Sequence, residues 1–166
     1  MHFSFGGCGF AYAFSAGVAS ALTTHGTLTT ASKLSGASGG ALVAAMAACG
    51  LDFRACVQHT VEDVLGGGRA PLGRMDALLE GALEDILPAY AHEACNGRLG
   101  VSVSLGGALP QACVIPEFET REALKAALRA SCYIPGYSGA GVGIRHDSLP
   151  GGLCFDGGFT NNTPRT

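Results

Sequence analysis

Five residues, Gly36-Ala37-Ser38-Gly39-Gly40, constrain this chain more than any others. They spell G-x-S-x-G, the pattern of a nucleophile elbow, in which a serine sits on a sharp turn between a β-strand and an α-helix. The turn is crowded and strained, so the residues flanking the serine must be small. The surroundings agree. A short strand is expected over 31–35, and Ala41 to Ala48 is a run of good helix formers within the helix expected over 39–49. Such a helix points free N–H groups and the positive end of its dipole back at Ser38, which suits an anion developing during acyl transfer. A plain Gly-rich turn opening a helix would satisfy the same five letters. The rest of the chain has to decide between the two.

Composition narrows the classes. With 166 residues, 48% of them apolar and 14% charged, one domain with a substantial core is expected over 1–166. The net charge of −3 and the lack of any basic run argue against nucleic acid and against an anionic-membrane patch. Seven cysteines are scattered singly without a C-x-x-C pair, so no zinc site is expected. They read instead as small buried hydrophobes in a reducing compartment. The N-terminus lacks the basic flank and cleavage site of a secretory signal. The apolar stretches Cys8 to Leu22 and Ala41 to Leu51 are too short to span a bilayer, so any membrane association is expected to be peripheral.

Strands are expected at 2–5, 98–105, 111–115 and 153–155, and helices at 10–24, 39–49, 52–65, 74–87 and 120–130. Asp52 and Thr120 are the expected N-caps. Gly66 to Gly73 reads as a surface loop, because it lacks the Lys-Ser/Thr ending of a phosphate-binding loop. Strands alternating with helices imply a mostly parallel sheet flanked by helices.

A serine hydroxyl needs a base to take its proton. The histidines are His2, His25, His59, His92 and His146, and none follows Asp156. A Ser–Asp–His order therefore cannot be completed through Asp156. A triad of Ser38, His146 and either Asp52 or Asp76 stays open, without a recognisable signature. Asp156 itself could be an ordinary Asp-Gly turn.

Two further segments bear on the question. Near the start, Phe3-Ser4-Phe5-Gly6-Gly7-Cys8-Gly9-Phe10 is a strand running into a Gly-rich turn. Near the end stands Phe155-Asp156-Gly157-Gly158-Phe159-Thr160-Asn161-Asn162-Thr163-Pro164. The order of Gly-rich loop, G-x-S-x-G and Asp-Gly-Gly resembles the patatin-like phospholipase family. Gly97 to Ser102 and Ser131 to Tyr137 bring it closest to the branch of adipose triglyceride lipase and adiponutrin.

That resemblance implies a three-layer patatin-like α/β sandwich with a mostly parallel central sheet. It implies a serine acyl hydrolase with a Ser38–Asp156 dyad, placed by Gly36 and Gly40 of the elbow and by Gly157 and Gly158 of the Asp turn. Backbone N–H groups of Gly7, Cys8 and Gly9 would form the oxyanion hole. The implied substrate is a lipid ester, with an acylglycerol ahead of a phospholipid, and no cofactor or metal is implied. Hydrolysis, acyl transfer to another lipid, or a non-catalytic lipid-binding role would each keep this fold. The resemblance also implies a cytoplasmic protein held peripherally at lipid droplets or membranes, with room for a protein coactivator. Tyr12 stands where the family's loop leads us to expect a third glycine, which would either disturb the oxyanion loop or simply make Tyr12 a core residue. The chain stops ten residues after Asp156, as a C-terminally shortened domain would. A dinucleotide-binding reading of the same loop fails at Tyr12 and lacks the acidic partner such a site needs.

Overall fold

The computed structural model describes residues 1–66 and 70–165. The centre of the expected loop, Gly67 to Arg69, lies outside the described residues. In chain order the elements are β1 (His2–Phe5), α1 (Tyr12–Thr24), β2 (Lys33–Ala37), α2 (Gly39–Cys49), α3 (Phe53–Gly66), α4 (Met75–Ile86) and α5 (Ala91–Cys95). They continue with β3 (Leu99–Leu105), β4 (Gln111–Ile115), α6 (Arg121–Ser131) and β5 (Cys154–Asp156). Short 3₁₀ turns occupy Gly9–Ala11 and Gly157–Phe159.

The local chemistry explains most boundaries. Asp52 Oδ1 accepts the N–H groups of Arg54 and Ala55 at 2.8 and 3.1 Å, and Thr120 Oγ1 accepts that of Ala123 at 3.1 Å. The helix α2 stops at Gly50, whose φ of +65° is the left-handed turn that glycine takes without strain. Leu87 is extended ahead of Pro88, which ends α4. Strand β2 starts two residues later than expected because Thr29 to Ser32 forms a turn, closed by Thr29 N–H on Ser32 Oγ at 3.0 Å. The helix expected from Phe10 begins at Tyr12, after the 3₁₀ turn. The short α5 was not expected; its five residues are too few to show a period.

The expected α/β architecture forms, an open sheet flanked by helices. Strands β1, β2 and β3 run parallel, and β4 lies antiparallel on the far edge of β3. Strand β5 also pairs antiparallel with β3, through Val103 to Leu105. Because β4 fills one edge of β3, β5 continues the other edge just beyond the end of β2. Ala37 is registered with Ser102, and Asp156 with Val103. Consecutive positions of β3 thus hold the residue before Ser38 and Asp156 itself.

The two sheet faces differ in chemistry. Residues alternate along a strand, so Leu99, Val101 and Val103 share one face with Leu34 and Phe5, while Ser102 and Ser104 share the other with Ser35 and Ser4. Helix α2 closes on the apolar face at Gly36: a Cβ there would strike the backbone of Gly40 and Ala41. Helix α6 packs on β3 and β5, and α1, α3, α4 and α5 pack against these inner helices. The serine face is covered by the segment after β5. Ser4 and Ser35 donate to the Pro164 carbonyl at 2.6 and 2.5 Å, and Ser102 donates to that of Asn161 at 3.0 Å. The Ser35 and Ser102 side chains are fully buried, and their hydroxyls would be costly without such a partner, so this face fixes where the segment runs.

Candidate active site

The elbow at Ser38 is built by close backbone approach. Ser38 has φ +53° and ψ −132°, and is the only non-glycine residue with positive φ among the described residues. Such a conformation is strained for any residue with a Cβ and persists only where its surroundings enforce it. Gly40 is part of that enforcement, since a Cβ on it would collide with the carbonyl oxygens of Phe5 and Gly6. A Cβ on Gly39 would sit 3.0 Å from both the Gly9 oxygen and Tyr12 Cβ. The small residues read from the sequence are therefore demanded by β1 and the loop after it.

Ser38 Oγ donates to Asp156 Oδ2 at 2.6 Å. Both residues are nearly enclosed, at 8% and 4% exposure. Asp156 Oδ1 accepts the Gly158 N–H at 2.7 Å. The Asp156 backbone is pinned on both sides: its N–H donates to the Tyr133 carbonyl at 2.9 Å, and its carbonyl accepts from Ser104 Oγ at 2.7 Å. Burial pushes the Asp156 carboxyl above the ordinary aspartate range, and the bonds from Ser38 and Gly158 pull partly the other way. A carboxylate with raised basicity against a serine hydroxyl is a competent proton acceptor for it.

The structure brings together Ser38, Asp156, Gly36, Gly40, Gly157 and Gly158. A Cβ on Gly157 would collide with the Ser102 carbonyl, so the Asp turn also closes against β3. The loop of Gly7, Cys8 and Gly9 lies beside them, with one difference from expectation. Gly7 N–H does not face the open side of Ser38 but donates to Asn162 Oδ1 at 2.9 Å. Tyr12 also departs from the concern raised by the sequence. Its φ of −55° and ψ of −28° are helical, open to any residue, so the absence of a glycine there imposes no backbone strain. Its ring is buried and lines the cavity over Ser38.

The alternative histidine triad is not assembled. Asp52 caps α3, Asp76 is held by Arg129 at 2.7 and 2.9 Å, and His146 Nδ1 bonds Ser148 Oγ at 2.7 Å. Two supporting residues have roles that the sequence reading did not assign. Ser131 Oγ accepts the Ser38 N–H at 2.8 Å and donates to the Ser102 carbonyl at 2.7 Å, tying the elbow to α6 and β3. Asn162 joins the Gly-rich loop to the Asp turn. Both fall within motifs legible in the sequence, but only the fold shows what each side chain reaches.

An apolar cavity opens over Ser38. Leu42 and Met46 of α2, Leu79 and Leu83 of α4, Leu128 of α6 and Cys132 contribute to its walls. Burial pushes the Cys132 thiol well up, so it stays neutral beside Ser38. Arg129 of α6 binds Asp76 and Glu80 of α4 at 2.7 and 2.6 Å, and Lys125 pairs with Glu84, clamping α4 as one wall. Among the described residues no group of His, Cys, Asp or Glu is placed to hold a metal ion. No helix among them is long and apolar enough to cross a membrane.

Fold and site together define an α/β protein with a strained strand–serine–helix elbow bonded to a buried aspartate. Comparison with known proteins agrees: the model of the patatin-like phospholipase family matches residues 3–66. Bovine (Bos taurus) patatin-like phospholipase domain-containing protein 2 is 34% identical over 97% of this chain and 34% of its own length. Human (Homo sapiens) patatin-like phospholipase domain-containing protein 4 is 31% identical over 99% of this chain and 66% of its own. The mouse (Mus musculus) omega-hydroxyceramide transacylase is 30% identical over 97% of this chain and 27% of its own. This chain belongs to the patatin-like phospholipase family. It spans about a third of the length of the bovine relative.

Proposed function

We propose that this protein is a serine acyl hydrolase acting on lipid esters, with acylglycerols ahead of phospholipids. The observation that carries the reading is the 2.6 Å bond from Ser38 Oγ to Asp156 Oδ2 at the opening of an apolar cavity. Ser38 Oγ attacks the ester carbonyl carbon as its proton passes to Asp156. The tetrahedral oxyanion meets the N-terminal end of α2 and the N–H groups of Cys8 and Gly9. Collapse breaks the C–O bond, and the departing alcohol takes the proton from Asp156. Water then attacks the acyl-serine, giving a proton to Asp156, which returns it to Ser38 as the fatty acid leaves. The proton and the acyl group are handled by Ser38 and Asp156 themselves.

A lipid hydroxyl replacing water in the second half would make the same acyl-enzyme a transacylase. The name of the mouse relative, omega-hydroxyceramide transacylase, favours keeping this reading. The substrate would be met at a lipid surface, a droplet or membrane bound peripherally from the cytoplasm, with a protein coactivator as a further partner. The outer side of α1 supports this: Phe14 is 77% exposed, Phe10 beside the cavity is 54% exposed, and the helix carries no charge.

A fluorophosphonate probe with peptide mapping tests the nucleophile, and should label Ser38 alone. Thin-layer analysis of products from triolein and phosphatidylcholine emulsions, with and without an acyl acceptor, separates hydrolysis from transfer. No label and no product with either emulsion would leave a non-catalytic lipid-binding role.

A further inference from the structure

The cavity contains a polar element that neither the elbow nor the Asp turn uses. Tyr12 is buried at 6% exposure and lines the cavity, yet its hydroxyl makes no hydrogen bond. Its polar neighbour is the Thr60 hydroxyl of α3, another lining residue. No bond of ordinary length and angle joins the two. Thr60 has already committed its proton to the Cys56 carbonyl at 3.0 Å, so towards the cavity it can only accept. Burial pushes the Tyr12 phenol up, so it remains a donor at any physiological pH. The pair therefore presents one unused donor and one unused acceptor among apolar walls. A buried hydroxyl is rarely left in this state without a ligand or water to satisfy it.

We propose that Tyr12 and Thr60 form a specificity site for an oxygenated acyl chain, one carrying a hydroxyl group along its length. That hydroxyl would accept from Tyr12 Oη and donate to Thr60 Oγ1, satisfying all three groups. An unsubstituted chain in the same place leaves Tyr12 Oη unpaired. Sites that hydrogen-bond a substrate hydroxyl discriminate strongly against the analogue lacking it. Tyr12 packs against Gly39, next to Ser38, so only a limited set of chain positions can reach its hydroxyl. The inference rests on the preceding reading only in taking this cavity as the acyl site.

The test is binding to the Ser38→Ala protein, which should hold esters without turning them over. Methyl decanoate and a positional series of methyl monohydroxydecanoates displace a fluorescent alkyl ester from the cavity. One positional isomer should bind about tenfold or more tighter than its neighbours in the series, the worth of one well-placed buried hydrogen bond. Adding Tyr12→Phe or Thr60→Val should abolish that preference while leaving methyl decanoate bound equally or better. No preferred isomer, or a preference that survives both substitutions, overturns the proposal. If no ester binds at all, the proposal falls with the acyl-site reading. If the preference appears but the unsubstituted protein hydrolyses nothing, the hydrolase reading fails and this site stands.

Discussion

Ser38 and Asp156 lie 118 positions apart in the chain and 2.6 Å apart in space. They meet because β3 holds Ala37 against Ser102 and Asp156 against Val103 along one edge. The dyad geometry is thus set by sheet register, with β2 and β5 running in opposite directions and ending toward one another.

The strain at Ser38 can be isolated by comparing two inactive variants. Ser38→Ala and Ser38→Gly both remove the hydroxyl and both should lose esterase activity on short acyl esters. Only glycine relieves the φ of +53°. Ser38→Gly should therefore be more stable than Ser38→Ala by about 1–2 kcal/mol, read from urea midpoints. Equal midpoints would mean that the elbow is relaxed; turnover by either variant would remove Ser38 from the chemistry.

Asp156 governs the pH response. Its carboxyl lies above the ordinary aspartate range because it is buried, and it must be ionised to accept the serine proton. Activity should therefore fall as pH drops through this raised value, with the acid limb of kcat/KM above pH 3.8, the ordinary aspartate position. Stability runs the other way. A carboxyl whose pKa is raised on folding favours the native state while protonated, and that contribution is lost as pH rises through the folded value. Asp156→Asn should lower the rate by roughly 10²–10⁴. It should also flatten this part of the stability–pH curve. Loss on that scale with His146→Gln but not with Asp156→Asn would place the base elsewhere.

Asn162 is the link between the Gly-rich loop and the Asp turn. Asn162→Ala frees the Gly7 N–H at an exposed position, where water can replace the lost acceptor, so the stability cost should be only about 0.5–1.5 kcal/mol. If the loop helps to hold the oxyanion, kcat should drop about tenfold or more with KM little changed, as for loss of a contact made mainly in the transition state. An unchanged kcat together with the stability loss would make Asn162 a structural staple.

Gly40→Ala should be far more damaging than its single added methyl suggests. The new Cβ meets two carbonyl oxygens of β1 and its loop, neither of which is a flexible side-chain tip. Overpacking of this kind costs about 1–3 kcal/mol or more, and here it also displaces the elbow. Folded protein of wild-type midpoint and full activity would contradict the close approach.

Phe14→Ser tests the outer side of α1 without touching the cavity lining. Binding to neutral phosphatidylcholine vesicles should weaken measurably and stay insensitive to salt, because the contact is apolar and the chain carries net −3. Turnover of a soluble ester should not change. Vesicle binding unaffected by this substitution would direct attention to another face.

Much of this protein was written locally. The G-x-S-x-G run, the caps at Asp52 and Thr120 and the end of the elbow helix at Cys49 each depend on neighbours a few residues away, so the sequence alone located them. The elbow glycines were also legible, because steric exclusion acts on residue type regardless of what lies opposite. Contacts between distant segments were not. That Gly7 N–H is occupied by Asn162, that Ser131 braces the elbow, and that Tyr12 faces a cavity instead of deforming the loop all follow from which strands lie side by side. Sheet register places residues more than a hundred positions apart within hydrogen-bond reach, and hydrogen bonds are decided over tenths of an ångström. The residues able to form the site are a property of the sequence; the partner each one takes is a property of the tertiary fold.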